Sequence, residues 1–323
     1  MRLINMRKAA IVGCGDVGAS IAFSLMHRSI FTELVLIDVD RAKAEGEAMD
    51  LSDGIPYAGA MDVYAGDYRD AQDCAMMIVT AGANQKPGET RLQLIDRNVA
   101  ILKDVIGQVR ATAFEGIMLI VANPVDVLTY EAHRLSGYPA SRVFGSGTVL
   151  DTARLKHQLS RYLGVDSRNI HAFIIGEHGD SELAVWSSAN VSGIDLDRFL
   201  TLRGHTVHDR ALQTMYENVR DSAYAIIERK GSTYYGIAMA VSRIAQCIVR
   251  DEQAVLPVST VLGGEYGLCG VALSIPAIIG KGGVESILEI PLSESERLAL
   301  GASAAQLQDV IAKLDAQRQG LTR

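Results

Sequence analysis

The chain has 323 residues, 48% of them hydrophobic and 21% charged, with a formal net charge of −7 and a pI near 5.5. That length holds two domains with cores of their own, and the acidic balance offers no basic face to a nucleic acid. No apolar run reaches the ~20 residues a membrane-spanning helix needs, so no membrane partner is expected.

The opening stretch MRLINMRKAAIVGCGD is interrupted by Gly13, Gly15 and Asp16 and does not read as a signal peptide. The four cysteines, Cys14, Cys74, Cys247 and Cys269, make no CxxC pair and no disulfide ladder, which suits a reducing compartment. A cytoplasmic protein is expected, with no metal. KAAIVG (8–13), LVLIDV (34–39), AMMIVTAG (75–82), GIMLIVANP (116–124) and the shorter VFGSGT (143–148) are predicted buried strands. Between them, VGASIAFSLMHR and RLQLIDRNVAILKDVIGQVRAT carry helical periodicity. Strands alternating with helices predict a doubly wound α/β fold with a parallel sheet.

After about residue 148 the pattern changes. A helix over Asp151–Leu163 precedes the strand-like NIHAFIIG, and a long polar helical region spans Leu196–Lys230. The helix STYYGIAMAVSRIAQCIVR leads into strand-like AVLPVSTVLGG and VALSIPAIIG. A last amphipathic helix begins at SESER, with Ser293 and Ser295 as candidate caps. The expected organisation is residues 1–148 as a dinucleotide-binding domain and 149–323 as a mixed α+β catalytic domain, with a cleft between them.

Gly13-Cys14-Gly15-Asp16-Val17-Gly18 spells GxGxxG at the end of the first strand and the start of the first helix. In that context the first glycine permits a tight turn and the second lets a pyrophosphate approach. The third lets helix and strand pack closely. The helix start offers unpaired N–H groups and a positive dipole end to phosphate. Asp38 ends the second strand about 20 residues beyond the last glycine. A carboxylate there accepts from both ribose hydroxyls of NAD and repels a 2′-phosphate, so NAD rather than NADP is expected in a Rossmann-type domain.

The stretch IIGEHGDSE sets His178 between two glycines and three acidic residues. Histidine titrates near neutrality and is a common general acid or base. Asp151, 27 residues earlier, could fix its tautomer and stabilise its imidazolium. Arg154 shares a helix face with Asp151 and has the planar fork that captures a carboxylate. AGANQKPGETR (81–91), with Gly82 and Gly88, follows a strand at its ligand-binding end and reads as a mobile lid. Arg91 at its end could polarise a carbonyl.

These motifs, together with VANPVD, LDTARL and KGSTYYGIAMAV in the same order, resemble the lactate/malate dehydrogenase family, its L-lactate dehydrogenases in particular, over essentially the whole chain. The resemblance implies that His178 donates and accepts the proton, with Asp151 orienting it. It implies that Arg154 grips the substrate carboxylate, that Arg91 polarises the carbonyl, and that Asn123 bonds the carbonyl oxygen and helps place the nicotinamide. Thr233 and Ile237 would line the pocket shared by substrate and nicotinamide.

The resemblance also bears on substrate and regulation. Where malate-type members carry an arginine for the second carboxylate of oxaloacetate, this chain has Gln85, which implies pyruvate and L-lactate. Many bacterial members are homotetramers activated by fructose 1,6-bisphosphate, whose phosphates are held by an arginine and a histidine from paired subunits. The matching positions are Lys156 and His171, and lysine binds phosphate as a point charge without the bidentate fork.

Overall fold

The computed structural model describes residues 4–83, 90–205 and 209–318. The elements in chain order are β1 (Asn5–Val12), α1 (Asp16–His27), β2 (Glu33–Ile37), α2 (Arg41–Gly54), β3 (Asp62–Ala65), β4 (Cys74–Val79), α3 (Arg91–Arg110), β5 (Ile117–Ile120), α4 (Val125–Ser136) and β6 (Val143–Gly145). The second half adds α5 (Val149–Leu163), β7 (Ile170–Ile175), β8 (Leu183–Val191), β9 (Ile194–Asp195), α6 (Leu196–Leu202), α7 (Asp209–Arg220), α8 (Ser222–Lys230), α9 (Tyr235–Arg250), β10 (Ala254–Gly263), β11 (Cys269–Gly280), β12 (Gly283–Ile287) and α10 (Glu294–Arg318).

Strands β3, β2, β1, β4, β5 and β6 lie side by side in parallel register, the doubly wound half expected from the alternating pattern. All six residues of β4 are buried, as its unbroken apolar run requires of a strand covered on both faces. One face packs on α1, α2 and α9, the other on α3, α4 and α10.

The sheet does not stop at residue 148. Gly145 of β6 pairs with Ser259 of β10, and β10, β11 and β12 extend it antiparallel to nine strands. Among the described residues only β7, β8 and β9 form a separate sheet, which shares a core with α5, α6 and α7. The two halves are thus fused through one sheet. Strand β3 was not apparent from periodicity: four residues whose exposure alternates weakly at a sheet edge carry little signal. The polar stretch 196–230 is not one helix but α6, α7 and α8, the first ending before Gly204 at φ +83°. Ser293 caps α10 as expected: its hydroxyl accepts from the Glu296 N–H, and the Glu296 carboxylate accepts from the Ser293 N–H. Ser295 instead falls inside the helix. Among the described residues no helix is long and apolar enough to cross a membrane.

Candidate active site

The turn from β1 into α1 is set by its glycines. Gly13 has φ +100°, and a Cβ on it would lie 2.6 Å from the Ala81 nitrogen. A Cβ on Gly18 would fall 1.9 Å from the Gly13 carbonyl oxygen. Gly15 is different: a Cβ there would meet nothing within 4 Å among the described residues. Gly15 is also the N-cap of α1, and among the described residues no side chain caps that helix start. The Thr80 hydroxyl donates to the Gly13 carbonyl at 2.6 Å and holds the turn against the end of β4. This is a cradle shaped for a pyrophosphate at a helix N-terminus.

Beside it runs a cleft of about 860 Å³, lined among others by Gly13, Gly15, Asp38, Thr80 and Gly82. Asp38 accepts from the N–H groups of Cys14 (2.6 Å) and Asp40 (2.9 Å), which fixes its carboxylate at the end of β2. Val39 beside it is fully exposed. Asp16, in the first turn of α1, accepts from the Ser232 hydroxyl at 2.6 Å. These residues fit a dinucleotide.

A second, narrower cavity of about 140 Å³ is lined by Val17, Asn123, Arg154, His178, Thr233 and Ile237, among others. Six of the positions singled out in the sequence, from five separate stretches of chain, therefore meet in one place. Asp151 lies just behind it on α5. One carboxylate oxygen accepts from Arg154 Nη1 at 2.9 Å, and the other lies 2.6 Å from His178 Nδ1. Asp151 is 2% exposed and the His178 side chain 25%, so the charge sits inside and the ring reaches the cavity.

The electrostatics follow from that geometry. Burial alone would lower the His178 pKa, but ionised Asp151 and its hydrogen bond override it and hold the ring up at about 9. Burial alone would raise the Asp151 carboxyl, yet His178 and Arg154 keep it below the usual carboxylate range.

Two supporting residues were missed in the sequence. Asp126, buried at the start of α4, accepts from the His178 N–H at 2.8 Å and from the Ser259 hydroxyl at 2.6 Å. Burial pushes its carboxyl up to about 6, against the pull of those two hydrogen bonds. It clamps the histidine loop to α4 and β10. Asn98, buried on α3, donates to the Asn123 carbonyl at 2.9 Å and accepts from the Ala83 N–H at 2.7 Å. It anchors both the Asn123 turn and the start of the loop expected to form a lid. Asp126 lies in the VANPVD motif itself, which was the available signal; Asn98 had none beyond being a polar residue on an amphipathic helix.

Four further residues singled out in the sequence remain. Gln85 and the Arg91 side chain lie outside the described residues. Lys156, half-buried on α5, and His171, exposed on β7, line neither cavity. Burial lowers the Lys156 ammonium pKa.

A Rossmann-type cradle, together with a cavity lined by His178 and Arg154 and backed by the buried carboxylate of Asp151, is the site of a dinucleotide-dependent oxidoreductase. The model of the lactate/malate dehydrogenase NAD-binding domain matches residues 7–145, and that of the lactate/malate dehydrogenase alpha/beta C-terminal domain matches residues 148–318. The L-lactate dehydrogenase of Moorella thermoacetica is 50% identical over 315 residues, 97% of this chain and 99% of that protein. That of Thermoanaerobacter pseudethanolicus is 48% identical over 310 residues, 96% of this chain and all of the other. Among solved structures, the minor L-lactate dehydrogenase from Enterococcus mundtii in its ligands-bound form has a TM-score of 0.92 at 43% identity, covering 96% of this chain and 98% of its own. The chain belongs to the lactate/malate dehydrogenase family and is an NAD-dependent oxidoreductase.

Proposed function

We propose that the protein is an L-lactate dehydrogenase that reversibly reduces pyruvate to L-lactate with NADH, a reaction that regenerates NAD in fermentative metabolism. The observation that carries this reading is the Arg154–Asp151–His178 chain opening into the cavity shared with Asn123 and Thr233. We take residues 1–148 as the NAD-binding domain and 149–323 as the catalytic domain, in a cytoplasmic homotetramer.

Gly15 and the α1 N-terminus would hold the pyrophosphate of NADH, which when bound would supply a hydride to the keto carbon. Gly13, Val17, Gly18, Gly82 and Ile237 shape the path of the cofactor, and Asp38 takes its ribose hydroxyls. Arg154 holds the pyruvate carboxylate, Asn123 bonds the keto oxygen, and Thr233 closes the far wall. His178, charged at neutral pH, gives its Nε2 proton to that oxygen, while Asp151 keeps Nδ1–H in place. Arg91, carried by resemblance, offsets the negative charge growing on the oxygen, which is larger in the transition state than in the ground state.

Gln85, also carried by resemblance, sets the choice of acid. With glutamine there, oxaloacetate would bury a second carboxylate without a cation, at a cost of several kcal/mol or roughly a thousandfold. NADH oxidation with pyruvate and with oxaloacetate, each with and without fructose 1,6-bisphosphate, tests the reading. Pyruvate is expected to win by about that factor, and comparable turnover of oxaloacetate would refute the substrate. Stimulation by the sugar bisphosphate that Lys156→Ala removes would support an effector site formed with His171 across subunits; rates indifferent to it would leave only the enzyme.

Asp38→Ala removes a charged acceptor of the ribose. The ratio of kcat/KM for NADH over NADPH is expected to fall by roughly 10- to 100-fold, the size of a lost hydrogen bond to a charged group. An unchanged ratio would place cofactor choice elsewhere.

A further inference from the structure

Glu182 follows His178 by four residues and leads into β8. It is 4% exposed, and its Oε1 has no hydrogen-bond partner among the described residues. One polar side-chain atom each from Glu182, Asp151 and His178 lie within 4.8 Å of one another. A second acid is thus buried against the pair that handles the proton. Nothing in the hydrogen-bonding of Asp151, already shared by His178 and Arg154, calls for it.

We infer that Glu182 is a positioning residue for proton transfer: a carboxyl kept neutral by burial beside the Asp151–His178 pair, which on ionising sets a second negative charge next to the imidazolium and tightens the hold of His178 on its proton. The inference rests on His178 being the proton-transfer group. A buried carboxylate lacking a donor is costly, whereas the protonated acid is tolerated.

The groups facing Glu182 define its balance. From α5 come Asp151 and Arg154, from the loop His178, and from α7 Arg220 and Tyr216. Arg220 already pairs with Asp221 at 2.8 Å, and Tyr216 gives its hydroxyl to the Glu182 carbonyl rather than to the carboxyl. Asp126 from α4 also acts on His178, and Glu177 acts on Asp126 in turn. Burial first, then Asp151, push the Glu182 carboxyl up to about 8, against His178 and the two arginines. Burial therefore favours its neutral form at and below neutral pH, and its ionisation moves into the alkaline range in which His178 also titrates. Its charge arrives where the histidine needs it, and His178 stays protonated further into the alkaline range than Asp151 alone would keep it.

The test is the ring titration of His178, followed by NMR of histidine-labelled enzyme, with its signal identified among the seven histidines by its loss in His178→Gln. In Glu182→Gln the midpoint is expected to fall by about two pH units, as for a unit charge some 5 Å away at an effective dielectric constant near 20. The alkaline fall of kcat for pyruvate reduction should move the same way. Glu182→Asp, which keeps a titratable carboxyl, should stay nearer the wild type. An unchanged midpoint in Glu182→Gln overturns the inference; if that variant does not fold, Glu182→Met carries the same expectation. If His178→Gln still reduced pyruvate with an intact alkaline fall, the proton-transfer reading would fail. The ring titration would still report separately whether Glu182 governs the proton on His178.

Discussion

Replacing His178 with glutamine is expected to lower kcat for NADH-dependent pyruvate reduction by roughly 10²- to 10⁴-fold, the usual worth of a positioned general acid. Glutamine keeps a polar group in the cavity but has no proton to give. NADH affinity should hardly move, because the cradle around Gly15 and Asp38 lines a different cleft. The pH dependence separates proton transfer from mere packing. With its ring pKa raised to about 9, His178 is protonated at neutral pH. Pyruvate reduction should therefore hold below that value and fall as pH rises through it. Lactate oxidation needs the neutral ring and should rise over the same interval. Steady-state NADH absorbance in both directions, from about pH 6 to 10, measures both limbs around the ring's raised value. Residual activity in the variant should show neither. A variant within tenfold of the wild type, with its limbs in place, would remove His178 from the chemistry.

The parts of this site that were legible in the sequence are those set by local geometry. GxGxxG after a strand dictates the cradle because no Cβ fits at Gly13 or Gly18. Asp151 and Arg154, three apart on one helix, had to share a face, and they do share a hydrogen bond. That Asp151 also bonds His178 could be proposed from residue chemistry, but no local rule brings positions 27 residues apart together. What stayed hidden depends on distant chain. The continuation of the sheet from β6 into β10 requires pairing between Gly145 and Ser259, for which periodicity has no term. Asp126 was not singled out, because its partners, the His178 N–H and Ser259, come from 52 and 133 residues away. Glu182 looked like one more loop acid until α7, with Tyr216 and Arg220, closed over it.

Asp151→Asn is expected to lower kcat by a comparable factor, roughly 10²- to 10⁴-fold, and for two reasons that the structure separates. The first is charge. Without the carboxylate, burial is no longer overridden, so the His178 pKa should drop from about 9 to near or below its ordinary value. The alkaline fall of pyruvate reduction would then move down through neutrality, and the loss would be greatest above pH 7. The second is orientation. Arg154 Nη1 is a donor and needs an oxygen where Asp151 Oδ1 now sits. An asparagine that meets this demand must turn its amide NH₂ toward His178 Nδ1. The neutral ring is thereby forced to carry its proton on Nε2, the nitrogen that has to accept one from lactate. Charge loss alone would spare lactate oxidation, since that direction starts from the neutral ring; the forced tautomer would impair it as well. Measuring kcat both ways therefore tells the two effects apart, and ¹⁵N shifts of the His178 ring give an independent reading. Protonation at Nδ1 in the wild type and at Nε2 in the variant is the expected pattern. A variant whose ring still titrates near pH 9 would mean that Asp151 is not what holds the His178 proton.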